Sequence, residues 1–205
     1  MIPSYWRQAT LELSRRDTTL RKLIRAYPGI SLQSRGDAFQ TLCRSIVGQQ
    51  VSVKAADSVW KKLLICLPDF PAAGVAACNE TRLRECGLSG RKALYLKDLA
   101  QQFAAGHLGD SLWVTLEDEA LIVELTKVKG IGRWTAEMFL LFHLTRPNVF
   151  PADDIGLQRA MSLQYNKGKP LSKLKMHAIA KTWLPWRSVA TWYLWRSLDP
   201  IPVDY

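Results

Sequence analysis

The chain runs to 205 residues and 23.2 kDa, room for one compact unit but not for two full domains at about 150 residues each. With 48% hydrophobic and 22% charged residues, and only 12 Gly and 10 Pro, it is neither disordered throughout nor collagen-like nor of low complexity. Its 28 Lys and Arg against 18 Asp and Glu leave a net charge of +10 and a pI of about 9.6, so the expected partner is a polyanion.

Leu20, Leu23, Ile24 and Tyr27 form an apolar stripe that starts after Asp17 and stops at Pro28-Gly29, as a capped helix does. Phe39, Leu42, Cys43 and Ile46 repeat the pattern behind Asp37, and Val53, Ala56, Val59, Trp60, Leu63 and Leu64 repeat it behind Ser52. Pro68, Pro71 and Gly74 predict the longest irregular link. Gly87-Leu88-Ser89-Gly90 then predicts a tight turn into a basic helix over about 91–105, whose Arg91 and Lys92 read equally as a solvated face or as a second phosphate contact. Helices over about 116–127 and 133–144, separated only by Gly130-Ile131-Gly132, predict a helical hairpin. Beyond it, 147–154 reads as a loop, followed by shorter helices over 156–164, 172–183 and 188–198. No stretch of strand length alternates, so the expected fold class is all-α.

Nucleic acid is a better polyanion than a membrane surface, because no apolar run approaches the roughly 18 residues of a spanning helix; Asp69 and prolines break the most apolar stretch, Leu63 to Cys78. The N-terminal residues Met-Ile-Pro-Ser-Tyr-Trp-Arg lack the regions of a signal peptide. A cytoplasmic address is expected, nucleoid-associated in a prokaryote and nuclear in a eukaryote. Cys43, Cys66, Cys78 and Cys86 match no zinc or iron–sulfur spacing, and His107, His143 and His177 form no pair on one helix face. No transition metal and no other cofactor is expected.

The segment Leu125-Thr-Lys-Val-Lys-Gly130-Ile-Gly132-Arg-Trp134-Thr-Ala136 carries the densest information. Two glycines one residue apart let the backbone turn sharply and approach a surface, with the first amides of the next helix pointing outward. Lys127, Lys129 and Arg133 surround Gly130, Ile131 and Gly132, so a phosphate could meet amides, helix dipole and side-chain charge together. For a lone Gly-x-Gly, an ordinary interhelical turn with solvated lysines is the simpler reading.

Three further blocks change the balance: Ser45-Ile-Val-Gly48-Gln49-Gln50-Val-Ser52-Val-Lys-Ala-Ala56, Phe150-Pro-Ala-Asp-Asp154-Ile-Gly-Leu-Gln-Arg159-Ala160 and Trp183-Leu-Pro-Trp186-Arg187-Ser188-Val-Ala190-Thr-Trp-Tyr-Leu-Trp195. With the hairpin, and in this order, they resemble the helix-hairpin-helix superfamily of DNA glycosylases, and within it the DNA-3-methyladenine glycosylase II branch that excises alkylated bases. The resemblance implies a single two-lobed helical unit over 1–205, one lobe of about 1–35 plus 155–205 and the other of about 36–154 containing the hairpin 121–144. It implies a monomer acting on double-stranded DNA that contains damaged bases, with no iron–sulfur cluster, since no Cys follows Cys86. A structural Na+ or K+ on hairpin carbonyls is compatible with it.

The resemblance also assigns roles. Asp154 aligns with the catalytic aspartate, which would stabilise an oxocarbenium-like sugar; Asp153 is expected to cap the following helix, although the two could be exchanged. Trp134 stands where bifunctional relatives carry a lysine nucleophile, so base release without strand cleavage is implied. Trp134 and Trp195 are expected to wall a base pocket, with Trp192 and Tyr193 serving equally as pocket or packing. Gln50, with Gln49, occupies the position of the wedge that fills the vacated stack, or else both amides serve an interhelical loop. Arg187 and Ser188 are expected to support the fold around Asp154. Two alternatives stay open: a glycosylase for uracil, mismatched thymine or deaminated purines, and a non-catalytic DNA-binding module built on the hairpin.

Overall fold

The computed structural model describes residues 2–34 and 36–198, and all regular structure among them is helical. Contacts divide these residues into two compact units, one of 36–139 and one joining 2–34 to 140–198.

The unit of 36–139 begins with α3 (Ala38–Gly48), α4 (Val53–Cys66), α5 (Ala72–Ala77) and α6 (Glu80–Glu85), while α1 (Trp6–Arg16) and α2 (Thr18–Ala26) belong to the other unit. It continues through α7 (Gly90–Ala104), α8 (Asp110–Trp113), α9 (Asp118–Thr126) and the first part of α10 (Arg133–Phe142). Short polar side chains set the helix starts by accepting amides of the first turn: Asp37 from Gln40, Ser52 from Ala55, Asn79 from Thr81 and Ser89 from Lys92. Leu42, Ile46, Leu63, Leu83, Leu96 and Leu99 are fully buried. A run of ring contacts links Phe70, Phe39, Phe103, Trp113 and Phe139.

The stretch from Pro68 to Gly87, expected to be irregular, holds α5 and α6. Pro71 breaks nothing because it sits at the N-cap of α5, where a missing N–H costs no helical bond.

In the other unit, α1 (Trp6–Arg16) and α2 (Thr18–Ala26) are followed by α11 (Ile155–Tyr165), α12 (Lys173–Lys181) and α13 (Arg187–Arg196). Asp17 ends α1 and caps α2: its Oδ1 accepts from the amides of Thr19 and Leu20, while its Oδ2 accepts from Tyr165 Oη and Trp183 Nε1 at 2.8 and 3.0 Å. α1 carries too little apolar signal to stand out in the sequence, its buried stripe being only Trp6, Ala9 and Leu13. α13 is buried nearly all round, from Ser188 to Leu194 and again at Arg196, which makes it the central helix of this unit.

The boundary differs from the expected one. The chain passes to the second unit at Leu140, inside α10, rather than after 154. Phe142 stacks on Trp195, and the turn from Arg146 to Val149 is bonded to Ser188, so these residues pack with α13.

Candidate active site and nucleic-acid interface

At the hairpin, the two glycines do different work. Gly130 has φ +84°, in the left-handed region, and a Cβ there would lie 2.2 Å from Tyr95 Cδ2. Gly132 meets nothing within 4 Å, so its missing side chain leaves the outer surface open. Ile131, 4% exposed, anchors the turn, and its amide donates to Val128 O at 3.1 Å. The amides that begin α10 have no acceptor within the helix and carry the positive end of its dipole. The turn lines a groove of about 850 Å³ together with Gln49, Gln50, Arg91, Lys127 and Lys129.

The cations around the turn are not equivalent. Lys127 Nζ reaches Glu124 at 2.6 Å and Lys129 Nζ reaches Asp98 at 3.6 Å, both from exposed positions. Arg133 does not line the groove. Its guanidinium is forked onto Glu119, and its Nε donates to Glu137 at 3.0 Å, so carboxylates occupy the side chain expected to meet phosphate.

Gln49 and Gln50 part company. The Gln49 side-chain amide donates to Gly130 O at 2.8 Å, tying the end of α3 to the hairpin. Gln50 is exposed, with φ +56°, at the tip of the connection to α4. Of the pair, only Gln50 keeps the geometry of an insertion residue. Lys92 is also committed: its ammonium donates to Val47 O and Gln49 O, each at 2.7 Å, and burial lowers its pKa.

The aspartate loop belongs to the unit of α11 and α13. Asp154 is the N-cap of α11, its Oδ1 accepting from Leu157 N at 2.6 Å. The same oxygen accepts from Trp195 Nε1 at 2.8 Å. The expected division of labour is thereby corrected: Asp154 performs the capping assigned to Asp153, and Asp153 is exposed and ion-paired to Lys173. The cap holds because Asp154 has extended backbone angles, φ −69° and ψ 120°, immediately before the first helical residue. Gly156 makes room for the pair, since a Cβ there would lie 3.1 Å from Asp154 Oδ1 and 3.5 Å from the Trp195 ring.

Arg187 and Ser188 hold the segment leading into that loop. Arg187 donates to Asn148 through Nε and Nη2, and Ser188 Oγ donates to Arg146 O and accepts from Val149 N.

Of the aromatic candidates, Trp192 and Tyr193 are buried against Trp6, with ring centroids 6.5 and 6.0 Å apart, and serve packing. Trp183 and Trp186 are buried as well. Trp195 alone of the C-terminal tryptophans is half-buried, beside Asp154 and stacked on Phe142 at 5.9 Å and 14°. Trp134 is half-buried in the first turn of α10. The structure therefore joins Asp154 to Trp195 in one unit, and Gln49, Gln50, Lys127 and Lys129 to the hairpin in the other. Phe142, Tyr95 and Asp98 went unassigned in the sequence, and Lys92 read only as a solvated face or a second phosphate contact; the three-residue spacing of Lys92, Tyr95 and Asp98 on α7 was the available signal.

Among the described residues, no group of three or more His, Cys, Asp or Glu side chains is placed to hold a metal ion, and no helix is long and apolar enough to cross a membrane.

Residues 43–185 match the HhH-GPD superfamily base excision DNA repair protein family. DNA-3-methyladenine glycosylase 1 of Schizosaccharomyces pombe is 30% identical over 198 residues, which cover 93% of this chain and 86% of that protein. A Bacillus subtilis protein named as a DNA-3-methyladenine glycosylase, YfjP, is 32% identical over 197 residues, or 89% of this chain and 66% of the relative. The chain thus spans just under two thirds of that relative's length. The structure of Schizosaccharomyces pombe 3-methyladenine DNA glycosylase (Mag1) in complex with abasic DNA superposes with a TM-score of 0.83 at 27% identity, covering 97% of this chain and 99% of that one.

Proposed function

Because the chain belongs to the HhH-GPD superfamily of base excision DNA repair proteins, we propose that it is a monofunctional DNA glycosylase that flips alkylated purines out of duplex DNA and hydrolyses their N-glycosidic bond. The observation that carries this reading is the Asp154–Trp195 pair, a carboxylate and an indole locked together at 2.8 Å by the N-terminus of α11.

The chemistry follows from the leaving group. An N-alkylated purine such as 3-methyladenine or 7-methylguanine carries positive charge while joined to the sugar, so heterolysis sends the bonding pair to the base, which departs neutral. The positive charge moves to C1′ and O4′ of deoxyribose. A preorganised carboxylate beside that carbon stabilises it more than water does, because it need not reorient as the charge develops. Water then adds at C1′ and sheds a proton, leaving an abasic site. Trp134 has no amine with which to form a Schiff base, so the strand stays uncut.

Recognition rests on the indole. Phe142 covers one face of Trp195, and the extruded base stacks on the other, where a cationic ring gains cation–π attraction that a normal base lacks. The hairpin amides, Lys127 and Lys129 grip phosphates without reading sequence, and Gln50 fills the vacated stack. A structural Na+ or K+ on the hairpin carbonyls is compatible with this reading, because Gly130 O and Val128 O each accept one hydrogen bond, from Gln49 and Ile131, and a carbonyl oxygen has a second lone pair. The protein acts as a monomer on DNA in the cytoplasm or nucleus.

The test is incubation with duplexes carrying 7-methylguanine, 3-methyladenine, uracil or a T·G mismatch, followed by chromatography of released bases and alkali cleavage. Release of the methylated purines is expected. Release of uracil or thymine alone would move the protein to another glycosylase class, and binding without any abasic site would make it a passive DNA-binding module.

A further inference from the structure

One face of α7 touches both DNA-facing loops of its unit. Lys92, Tyr95 and Asp98 recur every three residues, which places them on one side of the helix. Lys92 Nζ holds Val47 O and Gln49 O, each at 2.7 Å, at the C-terminal end of α3. Tyr95 lies against Gly130, closing the space a side chain would need. Asp98 Oδ2 accepts from Lys129 N at 3.2 Å on the far side of the turn. Gln49, held by Lys92 through its carbonyl, donates its own amide to Gly130 O at 2.8 Å. The connection that presents Gln50 and the turn that presents the phosphate-binding amides are therefore bonded to each other and to a single helix.

The ammonium is well chosen for its place. The last carbonyls of α3 carry the negative end of the helix dipole and have no partner further along the helix. A cation on a flexible stem can satisfy two of them at once. The next residue, Gln50, is in the left-handed region at φ +56°, a conformation that costs a non-glycine residue strain unless its neighbours are held.

We propose that Lys92 is a positioning residue for base extrusion, holding the Gln50 loop in register with the phosphate-gripping hairpin so that strand binding and wedge insertion occur as one event. This rests on the glycosylase reading above. It assigns Lys92 no phosphate contact, although its charge and its position beside the groove invite one. The benefit is confined to substrates whose base must be forced from a paired stack, since insertion offsets the cost of unstacking and unpairing.

The experiment compares Lys92→Met and Gln49→Glu with the unaltered protein. Single-turnover release of 7-methylguanine is measured from one duplex with cytosine opposite the lesion and from another with an abasic site opposite. Affinity for abasic duplex is measured across a salt series, and folding is checked by circular dichroism and Tm. Lys92→Met is expected to slow release about tenfold on the paired duplex and less than about threefold opposite the abasic site, where no pair must be broken. Its salt dependence should match that of the unaltered protein. Gln49→Glu, isosteric but without a donor for Gly130 O, should show the same selectivity for the paired duplex, and it carries the test alone if Lys92→Met fails to fold. Equal losses on both duplexes, or no loss on either, overturn the inference. So does a slope of log K against log salt that is shallower by about 0.9 for Lys92→Met, the mark of a lost phosphate contact. If the unaltered protein releases no methylated base, the functional reading falls, and this inference with it; loss of the inference alone leaves that reading standing.

Discussion

Trp195 and Asp154 are joined through one oxygen: Oδ1 of the carboxylate accepts the indole N–H at 2.8 Å and the Leu157 amide at 2.6 Å. Two donors, one from a helix end and one from an aromatic wall, hold that oxygen in place. The residue proposed to stabilise the sugar cation is thus also a structural cap, and the two roles can be separated by substitution.

Asp154→Asn keeps an oxygen able to accept both hydrogen bonds, and Asn is as good an N-cap as Asp. Tm should therefore stay near that of the unaltered protein while release of 7-methylguanine falls about 10²-fold or more, as when a preorganised charge group is lost. Asp154→Ala should lose the same activity and in addition about 0.5–2 kcal/mol of stability, the usual cost of removing a cap. Single-turnover kinetics with thermal melts on both variants checks the separation; turnover by Asp154→Asn within threefold of normal would remove the carboxylate from the mechanism.

Trp195→Phe preserves a six-membered ring for stacking on Phe142 and removes the donor to Asp154 together with the five-membered ring that carries it. Hydrogen bonds to charged groups contribute about 1.5–3 kcal/mol, so release is expected to slow about tenfold or more with little change in affinity for abasic duplex. Trp195→Ala, which also removes the stacking face, should be slower again and should discriminate less between 7-methylguanine and guanine.

Gly130→Ala meets two obstacles at once, the left-handed φ of +84° and the Tyr95 ring 2.2 Å from the new Cβ. Weaker binding to abasic duplex and a lower Tm are expected. Adding Tyr95→Ala should recover part of the stability by clearing the contact but not all, because the backbone strain of about 1–3 kcal/mol remains. Full recovery in the double variant would mean that sterics alone require the glycine.

Salt separates the cations. Lys127 and Lys129 line the groove from exposed positions and can exchange their carboxylate partners, Glu124 and Asp98, for phosphate, so replacing either with Ala should make log K against log salt shallower by about 0.9. Arg133→Met should leave that slope unchanged, since its guanidinium is held by Glu119 and Glu137. Fluorescence anisotropy over a salt series measures all three.

Helix identity was largely legible from local signals. Asp17, Asp37 and Ser52 each cap the helix that their position suggested, because capping involves only residues two or three apart. α5 and α6 were hidden by prolines whose effect depends on whether they fall at a helix start or interior. The hairpin was visible as Gly-x-Gly, yet which glycine is indispensable was not, since Tyr95 is thirty-five positions away in the chain. Arg133 looked like a phosphate ligand for the same reason: its partner Glu119 lies fourteen residues upstream.

Chain order and spacing were enough to settle that this is an all-helical, basic protein with a glycine hairpin followed by an aspartate loop, because helix periodicity, caps and net charge are local or additive properties. Folding decided which of two adjacent aspartates caps α11, which of four clustered tryptophans stays near the surface, and which of two adjacent glutamines is spent on the hairpin. Neighbours of the same type differ only in the direction their side chains leave the backbone, and that direction acquires chemical meaning only when distant residues arrive to meet it.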